Sequence, residues 1–334
     1  MSKIIALTMG DPMGIGPEIA VRACCDPEVN ACCSPVVVGD RQVLLRAASV
    51  CGLGENAIRR FLNIEDVPMK LPPEFSGDAG EFVFEHRGTA NRFGGLAAFS
   101  WVERAHRMCA EGAAAAVVTG PINKVALRLA GVPYIGHTEI FGALCGAADP
   151  LTMFETLGLR VFFLTRHVSL REACDLVAAE RVFDYIVRST AALTRMGVAP
   201  SADCPLAVAG LNPHSGEGGL FGSEELTAVA PAVERAREKG LHVVGPVSAD
   251  SVFHLAKIGR FAAVLSLYHD QGHIATKTLD FERTISITHG LPYLRASVDH
   301  GTAFDIAWTG AASAVSMIEA VRLAAKYAPA FQRR

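Results

Sequence analysis

The sequence predicts an α/β fold with mostly parallel sheets covered by helices. Short apolar runs alternate along the chain with segments in which apolar residues recur with a period near 3.6. Seven of the runs have strand character: "KIIALTM", "PVVVGD", "AAAAVVTG", "RVFFLTR", "PLAVAGL", "LHVVG" and "FAAVLSLY". Strands that are apolar on both faces and separated by helices are typical of parallel sheets, so we expect an α/β protein.

The intervening segments with helical spacing lie at 96–111, 179–196, 223–239 and 312–326. A chain of 334 residues is long enough for about two domains. The segment 68–80, "PMKLPPEFSGDAG", has no periodicity and is expected to be a surface loop.

Composition narrows the possible partners and the compartment. Half of the residues are hydrophobic and the net charge is −3, which indicates a buried globular core and argues against a nucleic-acid or anionic-membrane partner. No membrane span is expected, because no apolar run approaches the roughly 18 residues that a membrane helix needs. No signal peptide is expected either, because the apolar run at the N-terminus breaks at Gly10, so we expect a cytoplasmic protein. Nine cysteines favour reduced thiols. The pairs Cys24-Cys25 and Cys32-Cys33 are expected to be small buried hydrophobes, with a zinc site as the alternative.

Three predicted strands are each followed within a few residues by a histidine. His167 follows "VFFLT", His214 follows "LAVAG" and His269 follows "VLSLY". Ligands of parallel sheets bind beyond the carboxyl ends of the strands. A single histidine there is most simply a loop or capping residue, but three at equivalent positions favour a catalytic divalent metal with coordination positions left for substrate.

The stretch "LYHDQGHIATK" raises a second metal hypothesis, because His269 and His273 are four residues apart. A helical H-x-x-x-H site would need both rings on one helix face. Gly272 is unfavourable in a helix, so we predict that this pair is not the site and that His269 has distant co-ligands. His273 is then expected beside the ligands or the cofactor.

Anion-binding segments are also present, although a dinucleotide fingerprint is not. "GLGENA" has the right letters but follows a segment with helical spacing. The loop "SGEGGLFGSEE" follows a strand, and the backbone amides of Gly216, Gly218 and Gly219 either hold a cofactor phosphate or form a tight turn. In "GHTE", His137 and Thr138 either bind an anion or Thr138 caps a helix. The cations Lys277, Arg283 and Arg295 form either a solvated face or a clamp for phosphate and carboxylate.

Seven motifs together resemble the 4-hydroxythreonine-4-phosphate dehydrogenase (PdxA) family. They are, in order, "MGDPMGIGPE", "TGPINK", "GHTE", "NPHSGEGG", "GPVSADSVF", "YHDQG" and "GLPYLRASVDHGTAFDIA". The resemblance implies a two-domain fold of the isocitrate/isopropylmalate dehydrogenase type with the active site in the interdomain cleft. It places the first domain at 1–140 plus 305–334 and the second at 141–304.

The resemblance also implies a homodimer that uses NAD or NADP and one divalent ion per site, which is Zn, Mg, Mn or Co. Three histidines hold this ion in the family, one of them from the partner subunit, and the matching positions here are His167, His214 and His269. The positions that match substrate contacts are His137, Thr138, Lys277 and Arg295. Asp250 and Asp270 match acidic residues near the metal, and the proton acceptor is Lys277 or one of these aspartates.

The substrate is expected to be a small phosphorylated hydroxy acid. Ser286 in "SITHG" occupies a substrate-contact position where the vitamin B6 enzymes tend to have asparagine. The surrounding segment resembles the branch that oxidises 4-phospho-D-threonate or 4-phospho-D-erythronate to dihydroxyacetone phosphate and CO2. The alternatives are 4-hydroxythreonine-4-phosphate dehydrogenase of pyridoxal phosphate biosynthesis, a dihydrodiol dehydrogenase, a non-redox metal-dependent sugar-phosphate aldolase or hydrolase, and a non-catalytic metal-binding scaffold.

Overall fold

The computed structural model describes residues 3–332, and the chain forms two compact units. The first unit is Met1–Pro150 with Gly290–Arg334, and the second is Leu151–His289. The second domain was predicted to begin at residue 141 and to end at residue 304. The first unit extends past 141 because the helix His137–Cys145 packs against the helix Arg92–Ala110 of the same unit. Residues 1–2 and 333–334, which the predicted first domain includes, lie outside the described residues.

The first unit contains a parallel sheet with the strand order β3-β2-β1-β4-β11. Its strands are β1 (Ile4–Thr8), β2 (Ser34–Gly39), β3 (Ile64–Asp66), β4 (Ala116–Thr119) and β11 (Leu294–Val298). Its helices are α1 (Gly16–Cys24), α2 (Pro27–Cys32), α3 (Arg41–Val50), α4 (Glu55–Phe61), α5 (Ala79–Glu85), α6 (Arg92–Ala110), α7 (Lys124–Leu129), α8 (His137–Cys145) and α14 (Val315–Gln332). Every residue of β4 and β11 is buried, as expected for strands covered on both faces.

The second unit contains a mixed sheet with the strand order β10-β5-β6-β9-β7-β8. Its strands are β5 (Leu151–Thr156), β6 (Leu159–Phe163), β7 (Leu206–Ala209), β8 (Val243–Val247), β9 (Ala263–Ser266) and β10 (Ile285–His289). Strands β6, β9, β7 and β8 are parallel, whereas β5 is antiparallel to both β6 and β10. The helical segments are α9 (Leu170–Asp175), α10 (Ala179–Arg195), a 3-10 segment (Pro213–Gly219), a π turn (Glu225–Val229), α11 (Ala230–Glu238), α12 (Ala249–Lys257) and α13 (His269–Leu279).

The predicted α/β class is confirmed by the mostly parallel strands and the helices of each unit. The seven predicted strands correspond to β1, β2, β4, β6, β7, β8 and β9, and the predicted helices correspond to α6, α10, α11 and α14. The segment before "GLGENA" is helix α3, as its spacing indicated. Among residues 3–332, no helix is both long enough and apolar enough to cross a lipid bilayer.

The expectation that Gly272 disfavours a helix containing His269 and His273 was wrong. Both belong to α13, and their rings stack with centroids 3.9 Å apart. Gly272 is tolerated there because α13 packs very closely on the sheet. A Cβ at this position would lie 2.5 Å from Phe163 Cε1 and 2.8 Å from Ser266 Oγ, so the glycine serves close packing, which outweighs its low helix propensity.

Candidate active site

The three histidines singled out by the sequence follow neighbouring strands of the second unit. Strands β6, β9 and β7 lie side by side and are parallel, so their carboxyl ends meet at one edge of the sheet. His167 follows β6, His269 follows β9 as the first residue of α13, and His214 follows β7. We call this edge the histidine edge.

Side chains that the sequence reasoning missed connect the three loops of the histidine edge. Thr165 Oγ1 donates to Leu267 O at 2.9 Å and joins the loops after β6 and β9. Buried Gln271 accepts from Leu267 N and donates to Gly210 O, both at 2.7 Å, and so joins the loops after β9 and β7. The sequence signal for Gln271 was its place in "YHDQG", but spacing alone does not distinguish a bridging amide from a surface one.

His167 and His269 lie close together in a single cavity of the second unit. Their ring centroids are 6.0 Å apart, and the cavity has a volume of about 280 Å³. Its lining residues are Arg166, His167, Val168, Leu170, Ala173, Tyr268, His269 and Asp270. Asp270 Oδ1 lies 2.6 Å from His269 Nδ1, so a proton on Nδ1 is held by the carboxylate and Nε2 is left as a lone-pair donor. This is the usual second hydrogen bond of a metal-ligating histidine.

The His273 ring packs against the His269 ring and supports it, instead of forming a metal site of its own. Its ring lies between those of Phe163 and His269, with centroid distances of 4.5 Å and 3.9 Å. Burial, with a further contribution from the neighbouring His269, lowers the pKa of His273 to about 3. A neutral, packed imidazole therefore fixes the plane of the His269 ring.

His214 lies in an unusual backbone segment. Residues 214–218 all have φ between 43° and 81°, which makes one left-handed turn. Three of them, His214, Ser215 and Glu217, are not glycine, and each costs about 1–2 kcal/mol in this region. Such a run persists only where its surroundings hold it, and strained turns of this kind concentrate at functional sites.

The loop before His214 is held by a buried carboxylate. Glu225 Oε1 accepts hydrogen bonds from the backbone N–H groups of Leu211 and Asn212, both at 2.7 Å. Burial raises the pKa of Glu225, but the hydrogen bonds from Asn212 and Leu211 outweigh it and hold this pKa below its usual value. Glu225 was also missed by the sequence reasoning, since "SEE" at the start of a helix looks like an exposed acidic turn.

The described residues of one chain do not complete a three-ligand metal site. Within residues 3–332, no three histidine, cysteine, aspartate or glutamate side chains lie close enough together to hold an ion. The structure therefore brings His167 and His269 together and places His214 on the same sheet edge without joining them. The cysteine pairs at 24–25 and 32–33 are among residues 3–332, so the structure shows no three-donor zinc site at either pair.

A second polar cluster lies in the first unit and consists of His137 and Arg295, with Thr138 next to His137 in the first turn of α8. Arg295 is buried on β11 and donates from Nη2 to Thr119 Oγ1 at 2.8 Å, while its guanidinium lies 5.3 Å from the centre of the Phe141 ring. Burial lowers the pKa of Arg295, yet a guanidinium stays protonated at neutral pH. Burial and the nearby Arg295 together place the pKa of His137 well below its usual value.

This cluster has the properties of an anion site. His137 Nε2 is buried and has no hydrogen-bond partner within residues 3–332. A buried cation beside a neutral imidazole is stabilised by an anion that pairs with the first and accepts from the second. Thr138 lies in the first turn of α8, whose N-cap is Gly136 with no side-chain cap bond, so the alternative in which Thr138 caps the helix was wrong.

The remaining predicted residues lie in the second unit. Lys277 is half-buried on α13, two turns after His269, and Asp250 lies in the first turn of α12, just beyond the carboxyl end of β8. Ser286 is half-buried within β10, opposite Phe154. Arg283 is exposed and pairs with Asp280 at 3.0 Å, which favours a surface role over the predicted clamp. Gly216, Gly218 and Gly219 belong to the same loop as His214.

The motif "MGDPMG" contains a buried acid, Asp11, whose titration is expected to affect stability. Burial raises the pKa of Asp11 from 3.8 to about 6, although a hydrogen bond from Met13 N partly opposes this. The folded state therefore binds the proton more tightly than the unfolded state. Between about pH 4 and pH 6 the contribution of Asp11 to stability falls as pH rises, and above both pKa values it costs roughly 3 kcal/mol.

We expect Asp11→Asn to gain stability relative to the wild type as pH rises. The difference in the free energy of unfolding, measured with urea at about pH 4 and pH 8, is expected to shift by up to about 3 kcal/mol in favour of the variant. Asp203→Asn, at an exposed position, is the control. A difference that stays constant across this range would contradict the assignment.

Comparisons with known proteins cover nearly the whole chain. A family model described as "Pyridoxal phosphate biosynthetic protein PdxA" matches residues 31–324. A Clostridium botulinum protein named "Putative D-threonate 4-phosphate dehydrogenase" is 53% identical over 332 residues, which are 99% of this chain and 98% of that protein. A Symbiobacterium thermophilum protein of the same name is 53% identical over 338 residues with the same coverage. The crystal structure of a 4-hydroxythreonine-4-phosphate dehydrogenase from Klebsiella pneumoniae matches with a TM-score of 0.84 and 40% identity, covering 98% of this chain and 100% of that one.

Proposed function

Because this chain belongs to the PdxA family, we propose that it is a metal-dependent dehydrogenase that oxidises D-threonate 4-phosphate with NAD or NADP. The observation that carries the proposal is the histidine edge, where His167 and His269 line one cavity with ring centroids 6.0 Å apart. Two relatives that are 53% identical bear this substrate in their names, and both are matched over almost their full length. 4-Phospho-D-erythronate is the neighbouring substrate candidate.

The donor set at the histidine edge fits a divalent ion. Imidazole nitrogens suit ions such as Zn²⁺ and Co²⁺, and the Asp270 carboxylate leaves Nε2 of His269 as the donor. His167, His214 and His269 would hold the ion. Since no three donors converge within residues 3–332 of one chain, we propose a homodimer in which the ligand set is shared between two copies. When bound, such an ion would polarise the oxygen of the substrate hydroxyl and so lower the pKa of that hydroxyl.

The other residues bind the substrate and move protons. Arg295, His137 and Thr138 bind the phosphate, because they combine a buried cation with N–H and O–H donors. The C3 hydroxyl gives its proton to Lys277, Asp250 or Asp270, and a bound nicotinamide would accept the hydride from C3. The resulting 3-oxo acid loses its carboxyl group as CO2, and protonation of C2 gives dihydroxyacetone phosphate. The amides of Gly216, Gly218 and Gly219 are proposed to hold a cofactor phosphate.

The runner-up is 4-hydroxythreonine-4-phosphate dehydrogenase, the name of the Klebsiella pneumoniae relative. The two substrates differ at C2, which carries a hydroxyl in one and an amino group in the other. Ser286, at a predicted substrate-contact position, favours the hydroxy acid, since one hydrogen bond lost or gained there changes discrimination by roughly 1–3 kcal/mol.

The direct test is formation of reduced nicotinamide from each candidate substrate. We expect the highest kcat/KM with 4-phospho-D-threonate or 4-phospho-D-erythronate and a lower value with 4-phosphohydroxythreonine. Chelation followed by dialysis is expected to abolish turnover, and added Zn²⁺, Co²⁺, Mn²⁺ or Mg²⁺ is expected to restore it. The proposed function is wrong if none of the three candidate substrates is oxidised, or if turnover persists once metal analysis shows that the ion has been removed.

A further inference from the structure

We propose that Glu225 is the positioning residue for His214, holding the left-handed turn in the shape that presents this ring to the metal. The inference rests on the proposed function, in which His214 is a metal ligand. It adds a residue that neither the sequence motifs nor the chemistry of the reaction singles out.

Glu225 fixes the start of the turn through hydrogen bonds from Leu211 and Asn212. Its Oε1 accepts from Leu211 N and Asn212 N at 2.7 Å, and its Oε2 accepts from Asn212 Nδ2 at 2.8 Å. The neighbouring Glu224 Oε2 accepts from the same amide at 2.8 Å. All these partners are donors, so an acceptor-only carboxylate satisfies them where an amide would place one donor against another. Asn212, two residues before His214, is thereby pinned through both its backbone and its side chain.

The backbone of the left-handed turn also passes close to the Glu225 carboxylate. A Cβ on Gly216 would lie 2.9 Å from Glu225 Oε2, so the absence of a side chain at Gly216 allows the backbone to approach. Pro213, whose ring fixes φ, separates the pinned Asn212 from His214. Glu225 thus holds the residues that precede the turn by hydrogen bonds and lies close to the turn backbone at Gly216. Glu225 itself is 2% exposed.

The test is a double-mutant cycle read out as Co²⁺ affinity of the metal-free protein, independently of turnover. Glu225→Gln is nearly isosteric and is expected to weaken Co²⁺ binding about 10- to 100-fold, the range for residues that orient metal ligands. If Glu225 acts through His214, then E225Q adds no further loss in the H214A background. Glu234→Gln is the matched control and should bind Co²⁺ like the wild type, because Glu234 is exposed on α11 and is paired with Arg237 at 3.7 Å.

The outcomes separate the inference from the proposed function. Equal Co²⁺ affinity of E225Q and the wild type, or equal losses from E225Q with and without H214A, would overturn the role of Glu225 alone. A wild-type protein that binds no Co²⁺ would overturn the metal-dependent function, and the inference with it. If E225Q does not fold, Asn212→Ala removes the donor to Glu225 Oε2 and is expected to weaken binding in the same direction, again with no added loss in H214A.

Discussion

Replacement of Arg295 with methionine is expected to raise KM for the phosphorylated substrate by roughly 30- to 4,000-fold. The range follows from the roughly 2–5 kcal/mol lost when one partner of a buried, hydrogen-bonded charge pair is removed. Arg295 is 4% exposed, so little water is available to replace the guanidinium at the substrate phosphate. Because the phosphate is bound equally in the ground state and the transition state, KM should carry most of the change and kcat little.

Two controls make this result specific. Arg283→Met removes an exposed arginine that pairs with Asp280, and it should leave KM within about twofold of the wild-type value. Methionine preserves much of the buried volume of Arg295, and a thermal unfolding scan of the variant separates lost binding from lost folding. A folded R295M protein whose KM equals that of the wild type would remove Arg295 from the anion site.

Replacement of His269 with alanine is expected to lower affinity for the divalent ion by more than about 100-fold and to abolish measurable turnover. Residues that only orient a metal ligand typically change affinity 10- to 100-fold, and loss of the ligand itself should exceed that range. The affinity is measured by titrating Co²⁺ into the metal-free protein, and turnover by formation of reduced nicotinamide. Asp270→Asn, which weakens the bond to His269 Nδ1, is expected to give a smaller loss within that range.

His254→Ala is the matched control for this prediction. His254 is an exposed histidine on α12 of the same unit, outside the cavity that contains His167 and His269. It should bind Co²⁺ and turn over substrate like the wild type. Unchanged Co²⁺ affinity in H269A would show that the ion binds elsewhere and would contradict the assignment of the histidine edge.

The predictable part of the fold was the part in which one physical signal dominates. Continuous apolar runs such as β7, all of whose residues are buried, were identified as strands because they alternate along the chain with segments of helical spacing. The strands that the sequence reasoning missed include β10 and β11, whose buried residues include Thr288, Arg295 and Ser297. A strand signal based on hydrophobicity fails at such buried polar residues. Arg295 and Ser297, for example, donate hydrogen bonds to Thr119 of β4. Arg295 was found as a candidate by motif resemblance and not by its strand.

The candidate site also has a part that could be predicted from the sequence and a part that could not. The histidine edge was predictable, because parallel strands place their carboxyl ends together whatever the loops do. The residues that hold the loops, Gln271 and Glu225, were not, since their partners are backbone groups that are distant in sequence or revealed only by the turn geometry. The helix that carries His269 and His273 was not expected, because the low helix propensity of Gly272 was given more weight than its close packing on Phe163.

The division of the chain into units also determines the order in which the anion site is made. The second unit, Leu151–His289, is synthesised whole between β4 and β11 of the first unit. Strand β4 pairs with β1 on one side, but its other neighbour leaves the ribosome only after the entire second unit. Until then that edge of the nascent sheet is an open template for wrong pairing. Arg295 meets Thr119 only when β11 docks, so the proposed phosphate site can form only after the second unit has been synthesised.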